Sequence, residues 1–270
     1  MSDVVDYLAE ALDPVLLARR LGWEPDEWQA ASLRSQAPRA ALVCCRQAGK
    51  SQVAATKAVH VAAYEPGSLV LLVSIAQRQA DELFKRVQQM WRAMGRPVPD
   101  VADNRRSLEL ENGSRIVSLP GDEGTVRGYA AVRLIVIDEA ARVDDDVLHA
   151  FSPMLAVSRG GQLLAISTPW GRRGWFYEVA TQPDLRWEIT SVAAPDCPRI
   201  SADFLAAERA SMTDLAYRSD YLVEFVEGAG ALFDPLDVDR MFTPGQPFDP
   251  TVPLRRLRAV TDTGPVEAIA

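Results

Sequence analysis

Cys44-Cys45-Arg46-Gln47-Ala48-Gly49-Lys50-Ser51 is the stretch that decides the fold. It fits GxxxxGK[ST] at every fixed position but the first, where Cys44 stands in place of glycine. Ahead of it an apolar run, Ala40 to Cys45, reads as a buried strand. Behind it an alanine-rich segment from about Lys50 to Tyr64 reads as a helix, punctuated by Glu65-Pro66-Gly67. A loop between strand and helix curls its backbone N–H groups around phosphate oxygens, aided by the positive end of the helix. In that setting Gly49 permits close backbone approach, Lys50 reaches the β- and γ-phosphates, and the Ser51 hydroxyl holds Mg²⁺. Gly-Lys-Ser alone recurs by chance; the strand–helix context is what makes it a nucleotide signal.

Outward from the loop the same rhythm continues. A second apolar run, Leu69 to Ile75, precedes a helix over about 77–94. Strand, helix, strand, helix predicts parallel βαβ units with helices on both faces. Ser107-Leu108-Glu109-Leu110 and Arg115-Ile116-Val117-Ser118 flank Glu111-Asn112-Gly113-Ser114, a hairpin signal because Asn-Gly tolerates positive φ. Pro120 to Gly124 reads as a loop. Further strands are expected at 132–137, 162–167 and 186–192, and helices at about 144–157, 175–181 and within 201–222. Toward the start, 3–20 and 26–36 read as amphipathic helices. Pro235, Pro244, Pro247, Pro250 and Pro253 disfavour regular structure and suggest a linker.

The second chemical signal is Leu134-Ile135-Val136-Ile137-Asp138-Glu139. A continuous apolar run is what a parallel strand buried on both faces requires. It delivers two acids at its carboxyl end, where open α/β sheets bind ligands. Asp138 is placed to hold Mg²⁺ through water, and Glu139 to orient and polarise a water for attack on a γ-phosphate. The immediate glutamate indicates a hydrolase rather than a nucleotide kinase.

Composition sets the outer bounds. The 270 residues are 48% hydrophobic and 24% charged, which excludes disordered and fibrous classes. With 37 acidic against 29 basic side chains, the net charge of −8 argues against a whole-surface nucleic-acid or anionic-membrane binder. Three cysteines, two of them adjacent, and His60 and His149 make neither a disulfide framework nor a histidine-rich metal site. The acidic start and the short apolar runs predict no signal peptide and no membrane helix, and hence a soluble protein of a reducing, cytosolic compartment.

Taken in order, these stretches resemble the motor ATPase domain of large terminase subunits, the DNA-packaging enzymes of tailed bacteriophages. Glu27-Trp28-Gln29 resembles the family's adenine-recognition element. Arg46 to Ser51 is similar to its deviant phosphate loop, which often carries Arg-Gln. Val136 to Ala141 resembles its second nucleotide motif, and Ser167-Thr168-Pro169-Trp170-Gly171 its coupling motif. The resemblance covers about residues 20–230.

It implies an α/β P-loop NTPase fold of ASCE type, a mostly parallel central sheet with an extra strand between the phosphate-loop strand and the Asp138 strand. It implies Mg²⁺-dependent ATP hydrolysis coupled to translocation of double-stranded DNA into a procapsid. The implied partners are viral DNA, the portal protein, the small terminase subunit and further copies of the chain in a homo-oligomeric ring. In isolation the chain is expected to be a monomer. The implied location is the host cytoplasm, transiently at the portal, with no membrane. Residue by residue, the nucleotide-binding set is Gln29, Arg46, Gln47, Ala48, Gly49, Lys50 and Ser51, and the metal pair is Ser51 and Asp138. Glu139 and Lys50 are the expected catalytic groups, and Ser167 and Thr168 the expected coupling pair. Arg127 matches the arginine finger given to a neighbouring subunit, with Arg133 and Arg142 as competitors. Arg46 either contacts phosphate or braces the loop against an acid. Arg105-Arg106 and Arg172-Arg173 are basic pairs compatible with DNA phosphate contact.

The expected organisation is a motor domain over 1–232, with a helical segment over 1–36, followed over 233–270 by a proline-rich linker and the start of a missing nuclease domain. Family members usually carry a nuclease domain with clustered acids; here only Asp262 has room to be one, so no nuclease activity is expected of this chain. Two alternatives stand beside the motor reading. One is a helicase-like remodelling ATPase, weakened because there is no room for a second lobe. The other is a non-catalytic nucleotide-gated assembly or DNA-binding protein with a decayed loop at Cys44.

Overall fold

The computed structural model describes residues 2–121, 128–158, 160–182 and 186–227. Among them, eight strands form one sheet: β1 (Arg39–Cys44), β2 (Leu69–Ser74), β3 (Asp100–Asp103), β4 (Ser107–Leu110), β5 (Arg115–Pro120), β6 (Leu134–Asp138), β7 (Gln162–Ser167) and β8 (Glu188–Val192). Their order is β3-β4-β5-β2-β6-β7-β1-β8. β5, β2, β6, β7, β1 and β8 run parallel, and β3 and β4 add an antiparallel flank. β7 lies between β1 and β6, which is the inserted strand that the resemblance implies.

The alternation of side chains along a strand divides the core in two. Ala40, Leu42, Val70, Leu72, Leu134, Val136, Leu164 and Ile166 pack on one face. Ala41, Val43, Leu71, Val73, Ile135, Ile137, Leu163 and Ala165 pack on the other. The first face is covered by α2 (Pro14–Arg20), α3 (Glu27–Arg34), α4 (Lys50–Tyr64) and α5 (Gln77–Ala93), the second by α6 (Asp145–Ala156) and α7 (Gly174–Thr181). β6 is buried along its whole length, and each such aliphatic side chain contributes about 1.5–3 kcal/mol. α8 (Ala202–Ser211) and α9 (Asp214–Asp220) follow β8.

Two local signals behave as their chemistry dictates. Gly113 takes φ +83° in the hairpin between β4 and β5, and Asn112 beside it donates to the Ala62 carbonyl at 2.9 Å, near the end of α4. The amphipathic stretch over 3–20 is two helices, not one. Asp13 caps α2 by accepting from the Val15 N–H at 3.0 Å, and Pro14 at the first helical position cannot continue α1 (Ser2–Leu12). β3, absent from the sequence reading, is a half-exposed edge strand with an irregular register, so no apolar alternation marks it. The proline-rich segment lies outside the described residues.

Candidate active site at the carboxyl edge of the sheet

Parallel register puts the chemical ends of three strands on one edge. Val43 of β1 is level with Ser167 of β7, and Asp138 of β6 is level with Ile166. The phosphate loop leaves β1 there, the Asp138-Glu139 pair leaves β6, and Ser167-Thr168 leave β7.

Cys44 is the last residue of β1, buried, with no left-handed backbone. Nothing at that position calls for glycine, and burial pushes its thiol up to about 12, so it stays protonated. The left-handed conformations fall instead at Gln47 (φ 59°) and Gly49 (φ 92°). Arg46 and Gln47 form the exposed apex. Gly49 caps α4, so the free N–H groups of that helix start at Lys50 and Ser51.

The loop is held from behind. Gln29 is buried; its Oε1 accepts from the Asp26 N–H at 2.9 Å and its Nε2 donates to the Ala48 carbonyl at 3.1 Å. A Cβ at Gly49 would come within 2.6 Å of that Nε2, so space as well as φ demands glycine. Arg46 pairs with Asp220 (Nε to Oδ2, 2.9 Å), and its N–H donates to the Asp220 carbonyl at 2.9 Å. Of the two roles open to Arg46, this geometry is the brace against an acid.

Lys50 is nearly buried and donates to the Thr168 hydroxyl at 3.2 Å. The phosphate loop and the end of β7 therefore meet through one ammonium. Ser167, fully buried, donates to the Thr168 carbonyl at 2.8 Å and fixes that turn. Asp138 is 9% exposed, and its Oδ1 accepts from the Glu139 N–H at 3.0 Å. Burial first, and the Glu139 charge second, push the Asp138 carboxyl up to about 6. Glu139 has φ 54°, a left-handed conformation that costs a non-glycine residue energy and recurs at functional sites. A hard divalent cation suits this place: a carboxylate and the Ser51 hydroxyl are oxygen donors, and a cation would relieve the desolvated charge of Asp138.

Both competitors for the arginine finger are engaged within the chain. Arg133 donates to Glu65 at 2.9 Å and to the Gly160 carbonyl at 2.6 Å. Arg142 lies over the Trp170 ring at 3.7 Å. Arg127 lies outside the described residues. Among the basic pairs, Arg105 and Arg106 approach the buried Asp81 at 3.5 and 3.8 Å, and Arg172 donates to the Phe225 carbonyl at 2.8 Å. Trp175 is a packing residue, buried with its indole N–H on the Val143 carbonyl at 2.9 Å.

Sequence reading missed Asp26, Asp220 and Arg199. Arg199 donates to the Ala48 carbonyl at 2.8 Å and pairs with Asp26 at 2.6 Å. The Arg199–Ala48 contact joins positions 151 residues apart with no motif between them, so no local signal reveals it.

The family model for the phage terminase large subunit matches residues 39–204, from the start of β1 into α8. The chain belongs to the phage terminase large subunit family. The large terminase subunits of Thermus phage G20c and Thermus virus P23-45 are each 30% identical over 256 residues, covering 81% of this chain and 52% of theirs. The chain thus spans about half the length of the curated relatives it matches. Among solved structures, the large terminase ATPase domain of Thermus phage P74-26 superposes with a TM-score of 0.67 at 27% identity, covering 77% of this chain and 97% of that one. The HK97 bacteriophage large terminase shares the fold, with a TM-score of 0.64 at 15% identity over 79% of this chain and 55% of that one. Among the described residues of this terminase family member, no helix is long and apolar enough to cross a membrane.

Proposed function

We propose that this chain is the ATP-hydrolysing motor portion of a phage DNA-packaging enzyme. The observation that carries the reading is the junction of Lys50 with Thr168 at 3.2 Å, on the edge that also holds Asp138 and Glu139. A phosphate-loop lysine, a buried acid, a following glutamate and a hydroxyl at the neighbouring strand end make a γ-phosphate-cleaving site rather than a nucleotide store.

In this reading Gln47, Ala48, Gly49, Lys50 and Ser51 bind the phosphates, Arg46 braces the loop against Asp220, and Gln29 supports it from behind through the Ala48 carbonyl. Ser51 and Asp138 hold Mg²⁺, which when bound neutralises charge on the phosphate oxygens. Glu139 orients the attacking water and accepts its proton. Lys50 stabilises the charge that builds on the γ-phosphate and, once that phosphate leaves, returns to Thr168. Ser167 and Thr168 then transmit the loss of phosphate to the end of β7. Arg127 serves the neighbouring copy's site, which makes turnover depend on assembly into a ring. The work delivered is translocation of double-stranded viral DNA through the portal, with the small terminase subunit as a further partner, in the host cytoplasm. The Cys44 departure favours no decay of the site, since a strand-end residue with an ordinary backbone needs no glycine.

The test is phosphate release from Mg·ATP by the wild type and by Lys50→Ala. The variant should lose nucleotide binding and turnover together. Turnover by Lys50→Ala at the wild-type rate would refute the site. If Arg127 acts in trans, specific activity rises with protein concentration in the wild type and stays flat and low in Arg127→Ala.

A further inference from the structure

We infer that Arg199, far from the phosphate loop in sequence, is a positioning residue that aims the backbone of that loop at the phosphates of the nucleotide. The inference rests on the nucleotide reading above.

Two donors converge on one acceptor. The Ala48 carbonyl receives the Arg199 Nη2 at 2.8 Å and the Gln29 Nε2 at 3.1 Å, which fills both lone pairs of that oxygen. A trans peptide is planar, with its C=O and N–H pointing in opposite directions. Pinning the Ala48 carbonyl toward Gln29 and Arg199 therefore turns the Gly49 N–H the other way, out of the protein side of the loop. Gly49 is the left-handed cap of α4, so the same peptide plane also sets where the helix N-terminus points.

Arg199 is itself held. Its Nη1 pairs with Asp26 at 2.6 Å, and Asp26 donates its backbone N–H to the same Gln29 at 2.9 Å. Asp26, Gln29, Ala48 and Arg199 thus form a closed circuit in which each member fixes the next. The segment carrying Arg199 is anchored beside the loop as well. The buried thiol of Cys197 lies 3.8 Å from that of Cys45, and the Cys45 N–H donates to the Val192 carbonyl at 2.9 Å. A guanidinium suits the task because its fork donates to the Ala48 carbonyl through one nitrogen while another pairs with the Asp26 carboxylate, which a lysine ammonium cannot reproduce in the same plane.

The role differs from contact with the base, and binding of inorganic tripolyphosphate tells them apart, since that probe carries the phosphates without base or sugar. Affinities are measured by displacement of a fluorescent ATP analogue from wild type, Arg199→Ala and Asp26→Asn. Loss of a charge-assisted hydrogen bond to the loop should weaken ATP and tripolyphosphate by the same factor, roughly tenfold, in both variants. The KM for ATP should rise likewise, with kcat at saturating ATP held within about twofold. Weakened ATP binding with unchanged tripolyphosphate binding would mean a base contact and would overturn the assignment, as would no change in either probe. If Arg199→Ala lowers the melting temperature, Arg199→Lys keeps the charge beside Asp26 and should show the tripolyphosphate loss at wild-type stability; wild-type affinity in that folded variant contradicts the role. A wild type that binds neither probe refutes the nucleotide reading itself, whereas a binding wild type with indifferent variants refutes Arg199 alone.

Discussion

The phosphate loop and the turn after β6 lie on the same edge of the sheet, yet opposite physics holds them. The loop is supported by groups already satisfied: Gln29 and Arg199 share the Ala48 carbonyl, and Asp220 holds Arg46. The turn carries unpaid cost. Asp138 is desolvated beside a second carboxylate, and Glu139 adopts a left-handed backbone without being glycine. The difference teaches which half is prepared in advance and which waits for its ligands. A loop that binds through backbone N–H groups must be fixed beforehand, because a mobile backbone pays its ordering entropy out of affinity. In the proposed function the carboxylate pair holds a cation and activates water, and a pair that is costly without them is suited to that role.

The sharpest way to break this comparison is Asp138→Asn. It should cut turnover roughly a hundredfold or more, since the carboxylate that would face the cation is gone. The ligand-free protein should nevertheless become more stable, by about 1–3 kcal/mol, because the raised carboxyl value of Asp138 marks a charge the fold disfavours. The sign follows from proton linkage. The native state holds the proton to about pH 6 and the unfolded chain only to about 3.8, so this carboxyl costs nothing below pH 4 and its full amount above pH 6. The stability advantage of the variant should therefore be absent at pH 3.5 and grow as pH rises through that window. A variant less stable than wild type at pH 7 would remove the claim that the turn stores cost.

Gly49→Ala probes the prepared half. The added Cβ meets Gln29 at 2.6 Å at a backbone φ of 92°, so stability should fall by about 1–3 kcal/mol. Nucleotide affinity should fall with it, because Gln29 must leave Ala48. Thermal melts and nucleotide titrations check both; wild-type values would show that the loop is not gripped as described. The smallest effect is expected for Cys44→Gly, which restores the usual motif. With Cys44 buried in β1, the change should cost about 1–2 kcal/mol of stability and bring no gain in nucleotide affinity. Tighter binding by that variant would mean that the first position belongs to the loop after all.

The two halves were also unequally legible in the sequence. Leu134 to Ile137 announce a doubly buried strand, and Asp138 and Glu139 at its end need only that strand to be placed. The loop is legible too as a motif, because the spacing from Gly49 to Ser51 is local. Its supports are not. Gln29 acts across 19 residues from a helix, and Arg199 across 151, and nothing in either neighbourhood announces the partner. Arg46 could be narrowed to phosphate or acid, but Asp220 is an ordinary helix-end aspartate until the fold brings it near. β3 escaped because a polar edge strand has no buried face to write an alternating pattern. The break at Asp13-Pro14 was written plainly in a capping residue and a proline, and helical periodicity on both sides obscured it.

The central claim is that Glu139 activates water in a site that binds ATP without it. The direct measurement is a single-turnover experiment on Glu139→Gln, with nucleotide binding and phosphate release followed in the same sample. The account predicts ATP affinity close to wild type and phosphate release slowed by about 10²–10⁴-fold. Release at the wild-type rate, with ATP bound, would contradict it.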